Sequence, residues 1–300
     1  MTGKQLTSEK VYISKLTLTD FRCYSRVQIT PQDCYPLVVL TGPNGAGKTN
    51  ILEAISYLAP GRGLRRAPMG DVARQQGQGT WAVAATIDVG AEAIKAGTGI
   101  EVPTDDSAVK RLVRIDGQTA ANSNVFGERW SVGWLTPQMD RLFIEGPSSR
   151  RHFLDRMVLG LFPDHSRQVG AYERVMRERN RLLGDKGPSA DQAWLNALEA
   201  KMAEHGVAVA VARLEFAGQL AGQLAEADDG PFPRAELAID GWLEGLLAEG
   251  LAPVEVETSF RDKLASNRAR DSAGGRSADG VHKTDLVVTH APKAMRADLC

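Results

Sequence analysis

Little in this sequence suits a membrane, an oxidising compartment or a uniformly charged ligand. No apolar run approaches the roughly 18 residues that a membrane-spanning helix needs, and Val207 to Ala212 is among the longest. Cysteine is sparse: Cys23, Cys34 and Cys300 are an odd three without metal-ligand spacing, so they read as free thiols in a reducing compartment. A formal net charge of -1 leaves no general excess of either sign, so a surface for a polyanion has to be local. Met1 to Lys10 has no apolar stretch of the secretory kind, reads as a disordered leader, and leaves a cytoplasmic location as the expectation. Internal repeats and long heptad runs are also missing. The five histidines (His152, His165, His205, His282, His290) are scattered without the spacing of a zinc site or a nucleophile triad. With 43% hydrophobic and 24% charged residues over 300 positions, the composition is globular, enough for one large domain or two ordinary ones.

What the chain does have is Thr41-Gly42-Pro43-Asn44-Gly45-Ala46-Gly47-Lys48-Thr49-Asn50. The stretch follows a short apolar run, Leu37 to Leu40, and precedes Ile51 to Leu58, whose apolar residues recur at helical spacing. Strand, glycine-rich turn and helix form the context that a G-x-x-x-x-G-K-[ST] match requires. The glycines let successive N–H groups point into one concavity, and the new helix adds the positive end of its dipole. Lys48 then reaches the β- and γ-phosphates, and the Thr49 hydroxyl ligates Mg²⁺. Gly42, Pro43, Asn44, Gly45, Ala46, Gly47, Lys48, Thr49 and Asn50 are therefore the candidate nucleotide triphosphate site, with ATP and Mg²⁺ as its ligands.

Around this loop, Val11 to Pro31 reads as one or two strands. It contains Phe21-Arg22-Cys23-Tyr24, in which the arginine bears either on a nucleotide base or DNA, or merely accompanies core aromatics. Pro60 to Pro68 is a loop with three arginines; Arg65 and Arg66 either contact phosphates or are solvated. Trp81 to Val89 and Val109 to Ile115 alternate as half-exposed strands, with residues 96–107 as the loop between them and Asp116-Gly117 as a turn. From about residue 147 the texture becomes helical. Ser148 and Ser149 open one helix, Val169 to Leu183 forms a second, and Ala190 to Ala227 forms a long helix or a hairpin bent near Gly206. Between Arg141 and Lys186, ten basic residues face six acidic ones, a local +4 shared equally well by a DNA surface or a solvated helix face. Arg177 and Arg181 are the candidates there. Leu237 to Asp240 is a short strand that does not qualify as a Walker B element, since Gly241 stands where an acidic partner would be. Val254 to Thr258 alternates like a strand, Phe260 to Arg270 reads as a helix, and Ser272 to Gly280 as a turn.

Several of these stretches, in order and spacing, resemble the RecF family of the ABC/SMC-like ATPases. They are Leu18 to Tyr24, Gly42 to Ile55, Arg150-Arg151-His152-Phe153-Leu154-Asp155-Arg156, Tyr172 to Leu183, and Gly280-Val281-His282-Lys283-Thr284-Asp285-Leu286. Val281 and Lys283 depart from the family's usual Pro and Arg. The resemblance implies an α/β fold, a P-loop NTPase of the ABC/SMC-like head type with an antiparallel β meander and an inserted all-helical lobe. Residues 1–146 would form the first part of the ATP-binding lobe, 147–228 the helical lobe, and 229–300 the return into the ATP-binding lobe. It implies Gln138 as a further Mg²⁺ ligand, DNA bound at single-strand/double-strand junctions, RecR and RecO as partners, an ATP-dependent homodimer, and recombinase loading at gaps. The family's signature, Walker B and switch motifs follow the position of Cys300. The expectation is therefore weak ATP binding, negligible hydrolysis, and a Leu37–Leu40 strand lacking some neighbours. Two other classes stay open: a P-loop enzyme acting on a small molecule, and a non-catalytic interaction module.

Overall fold

The computed structural model describes residues 10–31, 37–101, 109–187, 190–228 and 230–299, in two compact units that meet in sequence at Trp134 and Leu135. The leader through residue 9, Cys34, Cys300 and residues 102–107 of the expected 96–107 loop lie outside the described residues.

The first unit is a six-stranded antiparallel sheet, β2-β1-β3-β4-β5-β6, with one helix from the phosphate loop. Its strands are β1 (Val11–Phe21), β2 (Tyr24–Ile29), β3 (Trp81–Val89), β4 (Glu92–Ile100), β5 (Arg111–Ile115) and β6 (Gln118–Thr119); the helices are α1 (Lys48–Ser56) and α2 (Asn124–Arg129). Alternation decides the faces: Trp81, Val83, Ala85 and Ile87 of β3 are buried, as are Leu16 and Leu18 of β1; Phe21, at the end of β1, is buried as well. Asp116 and Gly117, at φ 49° and 83°, make the two-residue turn between β5 and β6.

Two expectations fail here. Residues 96–100 are strand, not loop, paired with β3 and β5 throughout. Glycine there serves close approach, since a Cβ on Gly99 would lie 2.3 Å from the Trp81 carbonyl oxygen. Conversely, Leu37 to Leu40 is not a strand. A strand is defined by a ladder partner, and none of the described strands runs beside it; Leu37 and Val39 are 75% and 70% exposed. The run borders a largely apolar cavity of about 410 Å³ behind α1, lined also by Ile51, Leu52, Ile55 and Trp130.

The second unit is helical with a three-stranded antiparallel sheet, β7-β8-β9: β7 (Ala235–Asp240), β8 (Asp285–His290) and β9 (Met295–Arg296). Its helices are α3 (Pro147–Val158), α4 (His165–Lys186), α5 (Gln192–Glu226), α6 (Trp242–Ala248), α7 (Pro253–Ser266) and α8 (Arg268–Gly274). Asp191 caps α5, accepting from the N–H groups of Ala193 and Trp194 at 2.9 and 3.1 Å. The helix then runs unbroken for 35 residues. Gly206 does not break it: a Cβ there would sit 3.2 Å from both Phe260 and Tyr172, so the glycine admits two rings.

Val254 to Thr258 belongs to α7, which also corrects the strand reading. Pro253 occupies the first turn, the Glu255 carboxylate accepts from the Ala252 N–H at 2.9 Å, and Val256, Phe260 and Leu264 are buried at intervals of four. The expected turn from Ser272 begins only after α8 ends at Gly274.

Buried ions tie this unit together. Arg179 is fully buried and donates to Glu199 (3.0 Å), Asp271 (2.8 Å), Ser277 (3.0 Å) and the Leu264 carbonyl (2.8 Å). Arg213 donates twice to Asp155, at 2.9 and 3.0 Å, and once to the Val281 carbonyl. Arg150 makes a two-pronged pair with Asp285 at 2.7 and 2.8 Å. Thus Arg150 and Arg179, counted in the local +4, are interior ions and contribute nothing to an outer basic face. Among the described residues no helix is long and apolar enough to cross a membrane.

Candidate functional site

The phosphate loop is exposed from Thr41 to Ala46 and turns through three left-handed glycines, Gly42, Gly45 and Gly47, at φ 141°, 84° and 93°. Gly47 is the N-cap of α1, and no side chain caps the helix's first turn, which leaves its donors and dipole facing outward. The Lys48 ammonium lies over the loop, donating to the carbonyls of Gly42 (2.7 Å) and Pro43 (2.8 Å). Thr49 is exposed beside it. The nine consecutive candidates, Gly42 to Asn50, thus form one glycine-rich, cation-bearing turn into a helix.

The tip of the β1–β2 hairpin packs against this loop. A Cβ on Gly47 would meet the Tyr24 hydroxyl and the Cys23 sulfur, at 2.4 and 2.9 Å. The Tyr24 hydroxyl donates to the Ala46 carbonyl at 3.2 Å, and Asn50 Nδ2 donates to Cys23 Sγ at 3.1 Å. Partial burial raises the Tyr24 hydroxyl's pKa above its ordinary value, which keeps it a donor.

Behind the loop, Glu53 of α1 is fully buried and accepts from two arginines. Arg22 donates through Nε (3.0 Å) and Nη2 (2.6 Å), and Arg65 through Nη1 (2.9 Å). The third Arg22 nitrogen donates to the Asp71 carbonyl at 2.7 Å. The hydrogen bond to Glu53 pushes the Arg22 pKa up, fixing it as a cation. Arg22 is thereby consumed by protein contacts, while Phe21 is core; Arg65 keeps half its side chain in solvent and also reaches Asn50 Oδ1 at 3.3 Å.

The far end of α1 is fixed as firmly. Arg111, largely buried and without a carboxylate partner among the described residues, donates to the carbonyls of Tyr57, Ala59 and Gly61 and to Thr98, and lies over the rings of Tyr57 and Phe126. Burial lowers its pKa to about 10, still charged at neutral pH. Trp130 Nε1 donates to the Leu58 carbonyl at 2.8 Å. So the carbonyls of the Tyr57 cap and of the loop that follows α1 are met by Arg111 of β5 and by Trp130.

The remaining candidates are spread out. Arg66 is exposed at φ 54° in the same unit as the loop. Gln138 belongs to the other unit, exposed in a short 3-10 turn, Pro137–Arg141. Arg177 and Arg181 are exposed on α4, Arg177 lying 3.6 Å from Glu173. Cys23 is a free, exposed thiol. Sequence reasoning missed Glu53 and Arg111. The available signal for Glu53 was a lone acid among Ile51, Leu52, Ala54 and Ile55; for Arg111, nothing in the neighbouring residues marked it.

Comparison with known proteins agrees with this geometry. A family model described as an AAA domain matches residues 15–113. The DNA replication and repair protein RecF of Mesorhizobium japonicum is 48% identical over 293 residues, 97% of this chain and 75% of the relative. The protein of that name from Rhizobium rhizogenes is 43% identical over 292 residues, covering 97% and 76%. A solved structure described as the recombination mediator protein RecF with ATP in the RecFOR pathway superposes with a TM-score of 0.82 at 17% identity, covering 99% of this chain and 77% of that one. A second, described with ATPrS, gives 0.80 at 17% identity, covering 93% and 73%. At such identity these two establish the fold: a P-loop α/β head with an antiparallel meander and a helical lobe.

Proposed function

The chain belongs to the RecF family, and on that premise we propose that it binds ATP with Mg²⁺ at Gly42–Asn50 and acts on DNA in replication and repair. The observation that supports this most directly is the loop itself: three left-handed glycines, an uncapped helix start and the Lys48 ammonium lie together within seven residues. When bound, the nucleotide supplies a polyphosphate charge. The loop's N–H groups and Lys48 would complement that charge, and the Thr49 hydroxyl would hold the metal. Gln138 as a second metal ligand rests on the resemblance alone.

For DNA we propose single-strand/double-strand junctions as the target, with Arg65, Arg66, Arg177 and Arg181 as phosphate contacts. Their exposure supports this reading: a guanidinium must reach solvent to meet a phosphate backbone. RecR and RecO as partners, an ATP-dependent homodimer and recombinase loading at gaps follow from the family reading, which the relatives' RecFOR description supports. The test is binding to gapped duplex as a function of salt, with and without ATP. The expected result is tighter binding with ATP. Arg177→Ala with Arg181→Ala should flatten the log–log salt slope by about two, roughly one per lost phosphate contact. Equal binding to gapped and blunt duplex, or a slope the variants do not change, would refute the DNA assignment.

A further inference from the structure

Arg22 and Glu53 lie behind the phosphate loop, outside its motif, yet they link the two pieces of chain that shape it. Arg22 is the tip residue of the β1–β2 hairpin and adopts φ 54°, a left-handed conformation that an arginine rarely takes without a compensating contact. The compensation is the fully buried Glu53 carboxylate, which takes two of its nitrogens, while the Asp71 carbonyl takes the third. The next two residues, Cys23 and Tyr24, rest on Gly47, where a Cβ would collide with both. Tyr24 and Asn50 add hydrogen bonds across the same contact.

We propose that Glu53 is a positioning residue for the phosphate loop. Through Arg22 it latches the hairpin tip onto Gly47 and so holds the loop's last left-handed turn in its anion-binding shape. Glu53 is fully buried, and each of the three Arg22 nitrogens already donates to a protein acceptor, so their role is to support the loop from behind. The inference rests on the ATP-binding reading above and extends it to residues outside the motif. Arg65, the second cation on Glu53, is held beside Asn50 by the same carboxylate.

Three measurements on the 300-residue chain test this. First, Glu53→Gln keeps the side chain's shape and removes the charge. It should weaken ATP affinity about tenfold, the scale of one charge-assisted hydrogen bond. Arg22→Gln should do the same, and the double variant should be no worse than either alone. Second, peptide-resolved alkylation of Cys23 reports the seat of the tip independently of nucleotide. Both variants should speed it several-fold at temperatures where circular dichroism shows them folded. Third, in the unmodified chain ATP should slow Cys23 alkylation, an arm that survives if a variant fails to fold. Unchanged alkylation in folded variants, wild-type ATP affinity in them, or no slowing by ATP would each overturn the latch. Failure of the unmodified chain to bind ATP, or binding that Lys48→Ala leaves intact, would instead sink the functional reading itself.

Discussion

Gly47 shows how narrow the tolerances are at the scale of one residue. Its φ of 93° and the Tyr24 and Cys23 atoms waiting where a Cβ would go both exclude a side chain. Gly47→Ala should therefore cost about 1–3 kcal/mol of stability from backbone strain, measurable by urea unfolding. It should also weaken ATP binding, whereas Gly45→Ala, with open space around its position, should be milder in both. The loop residues were readable from sequence because each does its work within ten positions of its neighbours. Glu53 and Arg22 were not, since their roles depend on a contact between residues 31 apart in sequence. Arg179 misled for the same reason. Set among arginines on α4, it looked like surface charge, and its carboxylate partners come from α5 and α8.

Whole elements are locked by such ions. Replacing Arg179 by Met would leave Glu199 and Asp271 buried with fewer partners. A loss of about 3–5 kcal/mol, typical of breaking one side of a buried pair, is expected in chemical denaturation. A loss below about 1 kcal/mol would contradict the clamp. Asp155 adds a pH dependence. Burial pushes its pKa up, but His165 and Arg213 outweigh that and hold it well below the ordinary carboxylate range. A depressed folded-state pKa contributes stability above the unfolded value and loses it as pH falls. The stability gap between the unmodified chain and Asp155→Asn should hold steady above about pH 5 and shrink below about pH 4. Elements were legible where the period was clean: β3 runs from Trp81 to Val89 as its alternation required, and α5 follows its 3–4 spacing. They were misread where two signals competed. In β4, Gly97 and Gly99 suggested a loop, although both pair within the sheet and Gly99 serves close approach to β3. At Val254 to Thr258, a chance alternation hid a helix that only the Pro253 start and the four-residue burial interval reveal.

For the whole molecule, the two units contribute different chemistry. The residues up to Trp134 carry the phosphate loop and its supports, while those from Leu135 carry the exposed arginines of α4. The family reading assigns nucleotide to the first and part of the DNA contact to the second. Those roles should separate on substitution. Arg177→Ala with Arg181→Ala should lower DNA affinity without changing ATP affinity in the absence of DNA. Loss of both together would mean that the arginines act on the fold and not on DNA. All of this depends on the loop from Gly42 to Asn50 gripping a triphosphate. The most direct measurement is calorimetric titration of ATP with Mg²⁺ into the folded chain and into its Lys48→Ala variant. The account predicts saturable uptake by the first and at least tenfold weaker uptake by the second, the scale of one lost charge-assisted contact. No uptake by the unmodified chain, or equal uptake by both, would contradict it.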